Sequence, residues 1–358
     1  MTRALGAALL GALIAIAAAA FDSPSLYVPG LGLFLLGAGA WAWVALATQG
    51  AGVTREPGPA LVEEDEPYPL RLSLPRGLVR APGGELFEPV LDRVIPLRAR
   101  TRRRIRVDVK FARRGRRYLQ PARLTITDPL GLARSELESE PAEVLVLPRV
   151  EPVAASAAGA TDSLAGEAAR MVAHAAELEL DALRPYRPGT SASRIHWPTV
   201  ARTGEMIERK LIADVDLRPL VVVDPRRPQS PEALDMAVRA AASLTVHLAQ
   251  TGGCSLLLPG DRRAAEIEPD LRVWPPLHAR LALLEPEDGP PLAARVERAG
   301  AVFWVAASST APPAGIARAA AAVRYLVTPA EGVEGRVEFT VAGCAVRRLD
   351  RRANRSAA

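Results

Sequence analysis

Two long apolar runs open the chain. No charged residue occurs from Ala4 to Phe21, and the pattern repeats from Leu26 to Thr48 with Leu31, Leu33, Phe34, Leu35, Leu36, Trp41 and Val44. Each run predicts a helix able to cross a hydrocarbon core, which takes about 20 residues at about 1.5 Å each. The polar stretch Asp22-Ser23-Pro24-Ser25 separates them, so the spacing predicts a helical hairpin over about 4–21 and 26–48. A cleaved signal peptide is the rival reading of the first run, because Arg3 precedes it and residues 17–20 are small. The second run follows too closely to begin a mature secreted domain. Tyr27, Trp41 and Trp43 also lie near its ends, where interfacial aromatics are favoured.

Beyond the hairpin the periodicity changes three times. Residues 49–69 are rich in Gly, Pro and acid and predict a linker. Short period-two runs fill 70–148, among them Leu70–Leu74, Val94–Leu97, Ile105–Val109 and Arg123–Ile126, and predict an antiparallel β-sandwich with one solvated face. Residues 149–182 are Ala-, Ser- and Gly-rich, turn helix-like from Glu167 to Leu180, and predict a second linker.

From 217 to 350 strand and helix patterns alternate. Leu220–Val223 predicts a strand buried on both faces, and Pro231–Gln250 a helix stopped at Gly252-Gly253. A strand at Cys254–Leu258, a helix at Pro276–Leu284 and a strand at Val302–Ala306 come next. An Ala-rich helix at Ile316–Ala322 and strands at Tyr325–Thr328 and Val337–Val341 complete the pattern. Such alternation predicts a doubly wound α/β sheet. The chain is thus an α+β multidomain protein, with 351–358 as a basic tail.

Composition narrows the function classes. The net charge is +5, but Lys110 and Lys210 are the only lysines, so the Arg surplus reads as coding bias before it reads as nucleic-acid binding. Residues 98–117 carry eleven basic side chains against the single acid Asp108. They suit a solvated strand face, a contact for anionic lipid or a nucleic-acid patch. The lack of interleaved aromatics disfavours the last. Arg3 and Arg55 flank the hairpin while its turn carries only Asp22, which places both ends and the soluble domains in the cytoplasm under a plasma (inner) membrane. Cys254 and Cys344 lie far apart in apolar surroundings and suit free buried thiols. The four histidines form no metal box. Ser193 and His196 lack a nucleophile-elbow context, and no GxxxxGK[ST] phosphate loop is present.

The most distinctive stretch runs Leu183-Arg184-Pro185-Tyr186-Arg187-Pro188-Gly189-Thr190-Ser191-Ala192-Ser193-Arg194-Ile195-His196-Trp197-Pro198-Thr199-Val200-Ala201-Arg202. It resembles the signature R-x-Y-x-x-G-D-x-x-R-x-I-x-W-x-x-x-A-R of the bacterial family known as domain of unknown function 58. Arg184, Tyr186, Gly189, Ile195, Trp197, Ala201 and Arg202 fall on its fixed positions, Arg187 on an open one, and Arg194 one place after the signature Arg, where Ser193 stands; Thr190 stands where the family has Asp, and Pro198 where it often has Lys. Arg114-Gly115-Arg116-Arg117-Tyr118 and Asp128-Pro129-Leu130-Gly131-Leu132 are similar to two further landmarks in the same order. Residues alone suggest that Ile195 and Trp197 plug the α/β domain. Arg184, Arg187, Arg194 and Arg202 would then pair with acids such as Glu208, Asp214 or Asp216 as a structural latch. A surface for a partner protein is the alternative; the stretch holds no nucleophile–base–orienter set.

The resemblance implies a von Willebrand factor A-like α/β domain and a MoxR-type AAA+ ATPase as partner, with no cofactor. Metal-binding members of that fold end their first strand in Asp-x-Ser-x-Ser, where this chain has Asp224-Pro225-Arg226-Arg227-Pro228. A guanidinium lends no lone pair to a hard cation, so Asp224 marks a degenerate metal position and no metal is expected. The function implied is a non-catalytic, membrane-anchored adaptor or scaffold in complex assembly or envelope processes. A lipid-binding module using 98–117 and a membrane-bound hydrolase are the alternatives.

Overall fold

Helices α1 (Thr2–Ala20) and α2 (Pro24–Thr48) pair along a seam of small residues. A Cβ added to Gly11 would lie 2.3 Å from the Phe34 amide nitrogen, and one on Gly37 would lie 2.5 Å from that of Ala8. The backbones therefore touch, as apolar helices without a hydrophobic driving force between them require. Leu9, Leu13, Ile16, Leu31, Leu35 and Leu36 point outward, exposed. Both helices are long and apolar enough to cross a membrane.

The computed structural model describes residues 2–97, 104–153, 183–186, 195, 197–209, 218–286, 299–308, 316, 321–330 and 337–349. The chain is mixed α+β with several sheets and divides into two units, Met1–Ala112 with Arg116–Val146 and Arg113–Gly115 with Leu147–Ala358.

Ten strands follow the hairpin: β1 (Thr54–Arg55), β2 (Leu61–Glu63), β3 (Pro67–Ser73), β4 (Gly84–Glu88), β5 (Arg93–Pro96), β6 (Arg104–Lys110), β7 (Gly115–Leu119), β8 (Arg123–Thr127), β9 (Arg134–Glu138) and β10 (Ala142–Leu147). They form sheets ordered β1-β3-β6, β2-β10-β7 and β5-β4-β8-β9. Strands β1 and β2 fall inside the stretch expected to be a linker; Val53 and Val62 are buried there, and that apolar burial draws the Pro- and Gly-rich segment into sheets. One apolar cluster joins Ala40, Val44 and Ala47 of α2 to Leu72, Leu86, Leu124 and Ile126. A second gathers Val62, Tyr68, Leu70, Leu119, Val144 and Val146. Strand β6 alternates as its sequence requires, with Arg104, Arg106, Asp108 and Lys110 exposed and Ile105, Val107 and Val109 half-buried.

The second unit is built on a seven-stranded sheet. Its strands are β13 (Leu220–Asp224), β14 (Cys254–Leu257), β15 (Ala265–Ile267), β16 (Ala299–Ala306), β17 (Ala321–Pro329), β18 (Phe339–Val341) and β19 (Cys344–Arg348), in the order β15-β14-β13-β16-β17-β19-β18. A small ladder of β11 (Leu183–Pro185) and β12 (Ile207–Arg209) lies apart from it. The four central strands run parallel, with antiparallel partners at both edges. Every residue of β13 and β16 is buried, which explains their unbroken apolar runs. Helix α4 (Pro231–Gly252), capped by Ser230 accepting from the Ala233 amide, and α5 (Trp274–Ala282) share one apolar cluster with one sheet face. Helix α3 (Trp197–Thr203) is short.

Two element expectations need correction. Ala321 and Ala322 belong to strand β17 and not to an Ala-rich helix, because Ala299 and Ala301 of β16 pair in register with Ala321 and Val323. Strand β19, unforeseen, pairs β17 and β18 and puts Cys344 and Val346 in the core. The helix-like stretch Glu167–Leu180, residues 98–103 of the Arg run and the basic tail lie outside the described residues.

Candidate functional site

The segment that starts at Leu183 begins as a clip. Strands β11 and β12 pair antiparallel with Arg184 in register with Glu208, and the Tyr186 amide donates to the Met206 carbonyl at 2.8 Å. Ile195 is buried. Trp197 is not: it is 59% exposed and does not join Ile195 in the expected plug of the α/β domain. The reason is Pro198. A proline favours the first turn of a helix, where its missing N–H costs nothing, so the chain turns helical at Trp197 and the extended alternation with Ile195 ends. Helix α3 then closes on Gly204, whose φ of +73° lets its amide reach back to the Val200 carbonyl at 2.9 Å. Arg202 and Met206 are exposed, as Trp197 is, and Tyr186 is half-buried. Arg187, Gly189, Arg194, Asp214 and Asp216 lie outside the described residues.

Asp224 ends β13 at the point where the strand order reverses, with β14 on one side and β16 on the other. Open α/β sheets bind ligands at such points. Here the buried carboxylate is already engaged. Arg226 Nε donates to Oδ1 at 2.6 Å and its Nη2 donates to Oδ2, and the buried Trp304 donates its Nε1–H to Oδ2 at 3.2 Å. A divalent cation would have to displace a bidentate guanidinium and then sit beside it, so these residues do not fit one. Among the described residues no cluster of three His, Cys, Asp or Glu side chains is placed to hold a metal.

Two buried ion pairs escaped the sequence reading. In the second unit Arg114 Nε donates to Asp235 Oδ1 at 2.9 Å, and Arg114 Nη1 donates to the Leu281 and Ala282 carbonyls at 2.8 and 3.2 Å. Arg113 Nε donates to the other Asp235 oxygen at 2.8 Å. Arg114 therefore binds α4 to the end of α5. The available signal was a lone acid between Leu234 and Met236, inside the otherwise apolar face of α4. In the first unit Glu88, fully buried, accepts from Arg55 Nη2 at 2.6 Å. Its signal was its place two residues after inward-facing Leu86. Arg55, Tyr68 and Glu143 line a cavity of about 740 Å³ in that unit. Burial raises the Tyr68 phenol against the pull of Arg55.

Three further reactive side chains among the described residues are buried. Burial pushes both free thiols, Cys254 and Cys344, up to about 12. His278 stacks on Trp274, and its Nε2 donates to the Pro148 carbonyl at 2.8 Å; burial lowers its pKa while that bond opposes the shift. Neither cysteine is placed for nucleophilic work, which needs a thiolate near neutral pH. Comparison of the chain with protein-family models, curated proteins and solved structures finds no match.

Proposed function

We propose that this protein is a membrane-anchored adaptor of the domain of unknown function 58 type, which docks a cytoplasmic MoxR-type AAA+ ATPase and performs no chemistry of its own. The observation that carries the reading is the exposure of Trp197, with Arg202 and Met206 also in solvent, on a clip that follows the family signature. Trp and Arg are the side chains that most often dominate a protein interface. The apolar hairpin supplies the anchor, and Arg3 and Arg55 orient both its ends toward the cytoplasm of an inner membrane.

Strand order supports a von Willebrand factor A-like reading of the second unit. It reverses at β13 in the manner of a doubly wound sheet, and the first-strand Asp224 stands where the metal-binding members carry their ion. We read the sheets of the first unit as a β-sandwich, on the strength of their antiparallel pairings and solvated outer faces.

Co-purification in mild detergent from the native cell tests the adaptor. The ATPase should accompany the intact chain and fall at least tenfold with Trp197→Ala or Arg202→Glu, while circular dichroism stays unchanged. Retention at the full level by both variants refutes the docking site. A second reading, contact of β6 with anionic lipid, is favoured by one feature. Arg71 and Arg106 face each other in register on exposed positions, with Asp108, 3.8 Å from Arg106 Nε, as the acid beside them. Salt-sensitive binding to anionic vesicles, lost in Arg106→Glu, supports that reading; Arg104 and Arg116 are already spent on Glu56 and Glu143.

A further inference from the structure

The landmark Asp128–Leu132 and the loop Pro75–Ala81 play no part in docking an ATPase at Trp197, yet both are built against the last two turns of α2. Trp43 Nε1 donates to the Arg80 carbonyl at 3.1 Å, and the Leu78 amide donates to the Gln49 carbonyl at 2.9 Å. A Cβ on Gly77 would stand 1.9 Å from the Ala47 carbonyl oxygen, so the loop backbone lies directly on the helix end. At the base of the turn, Leu132 and Ala133 share one apolar cluster with Ala40, Val44, Ala47 and Ala81.

The turn itself is rigid and aims outward. Buried Asp128 accepts from the Leu130 amide at 2.9 Å and from the Ala133 amide at 2.5 Å, and Gly131, at φ +69°, supplies the left-handed step. These bonds hold the turn's backbone and leave Leu130 at the tip, 63% exposed. Leu78, at 72%, and Val79 beside it are exposed on the neighbouring loop. Three large apolar side chains thus stand in solvent around one end of a helix suited to a bilayer.

Their height follows from α2. Counted from Pro24, a hydrocarbon core of about 30 Å consumes about 20 residues and ends near Trp43. The loop bonded to Trp43 therefore lies at the level where the chain leaves the acyl region. Arg76 and Arg80 are exposed on that same loop, at the level of the lipid phosphates. Apolar tips with basic flanks at this depth are the composition of an interfacial contact.

We propose that Pro75–Ala81 and Asp128–Ala133 form a lipid-contacting rim. Leu78, Val79 and Leu130 enter the boundary between headgroups and acyl chains around α2, and Arg76 and Arg80 meet the phosphates of an anionic leaflet. The Asp128-Pro129-Leu130-Gly131-Leu132 landmark is then a device that aims one leucine at the membrane. This inference rests on α2 crossing the bilayer.

The test uses the full chain in vesicles of phosphatidylcholine and phosphatidylglycerol. A polarity-sensitive fluorophore is carried on Leu78→Cys, Leu130→Cys, Tyr118→Cys or Leu35→Cys, with signal from the buried native thiols subtracted. Tyr118 is an exposed control on a strand whose sheet does not pack on α2, and Leu35 lies midway along α2. Nitroxide lipids labelled near the headgroup should quench positions 78 and 130 at least twofold more than 118, and deep-labelled lipids should quench 35. Val79→Cys replaces Leu78→Cys if that variant misfolds. Quenching at 35 with 78 and 130 matching 118, or quenching at only one of the two loops, overturns the rim and leaves the spanning helix intact. No quenching at 35 removes the spanning helix, and the rim with it.

Discussion

Replacing Asp235 by Ala should loosen the second unit by a calculable amount. The Arg114 side chain is 4% exposed and that of Asp235 8%, so the pair is desolvated on both sides. Removing one partner of a buried pair costs about 3–5 kcal/mol, because a charge is left without its counter-charge. Arg114 keeps the Leu281 and Ala282 carbonyls as acceptors, which places this case at the lower end, about 3 kcal/mol. At about 1.4 kcal/mol per tenfold, exchange of the α4 amides through unfolding of the unit should accelerate about 100-fold. Hydrogen exchange read by mass spectrometry on the full chain in detergent measures it over Pro231–Gly252. Arg113→Ala is the contrast. Its guanidinium is 46% exposed and should cost no more than about 1 kcal/mol. The double variant Arg114→Met with Asp235→Ala removes the stranded charge and should recover most of the loss, as a double-mutant cycle will register. Exchange within about threefold of the parent in Asp235→Ala, or a double variant worse than the single one, would refute the pairing argument.

Three further outcomes are expected. Gly37→Leu should lower the thermal midpoint in detergent, since a Cβ there meets the Ala8 backbone, whereas Gly39→Leu, with nothing within 4 Å, should not; equal effects would sink the hairpin seam. His278 has its pKa lowered by burial, so its contribution to stability is complete above the unfolded value of about 6.5. That contribution fades as pH falls below it, because the unfolded chain takes up a proton the buried ring refuses; a stability profile between pH 5 and 8 that His278→Gln fails to flatten contradicts this. Calorimetric titration with Mg²⁺ should give no saturable heat, because Arg226 occupies both Asp224 oxygens, and tight binding abolished by Asp224→Ala would overturn that account.

An element was legible wherever a single local pattern decided it. The apolar runs of α1, α2, β13 and β16 need no partner to be recognised, and neither does the alternation of β6. Illegible were the places where a residue's direction depends on something distant. Arg114 sits in a run of exposed arginines and turns inward only because Asp235, 121 positions away, waits on α4. Trp197 follows a buried Ile195 by two positions and turns outward only because Pro198 starts a helix. Leu130 is as apolar as Leu132, but the Asp128 turn leaves it exposed while Leu132 is partly buried. Each serves a different physical end: an internal ion pair, a solvent-facing ring, an outward leucine. Local spacing therefore does not report whether such a side chain points in or out. For Trp197 and Leu130 the outward direction is the observation on which the two proposed contacts rest. A packed core has no use for either exposure, whereas a protein partner and a lipid leaflet each have a use for one.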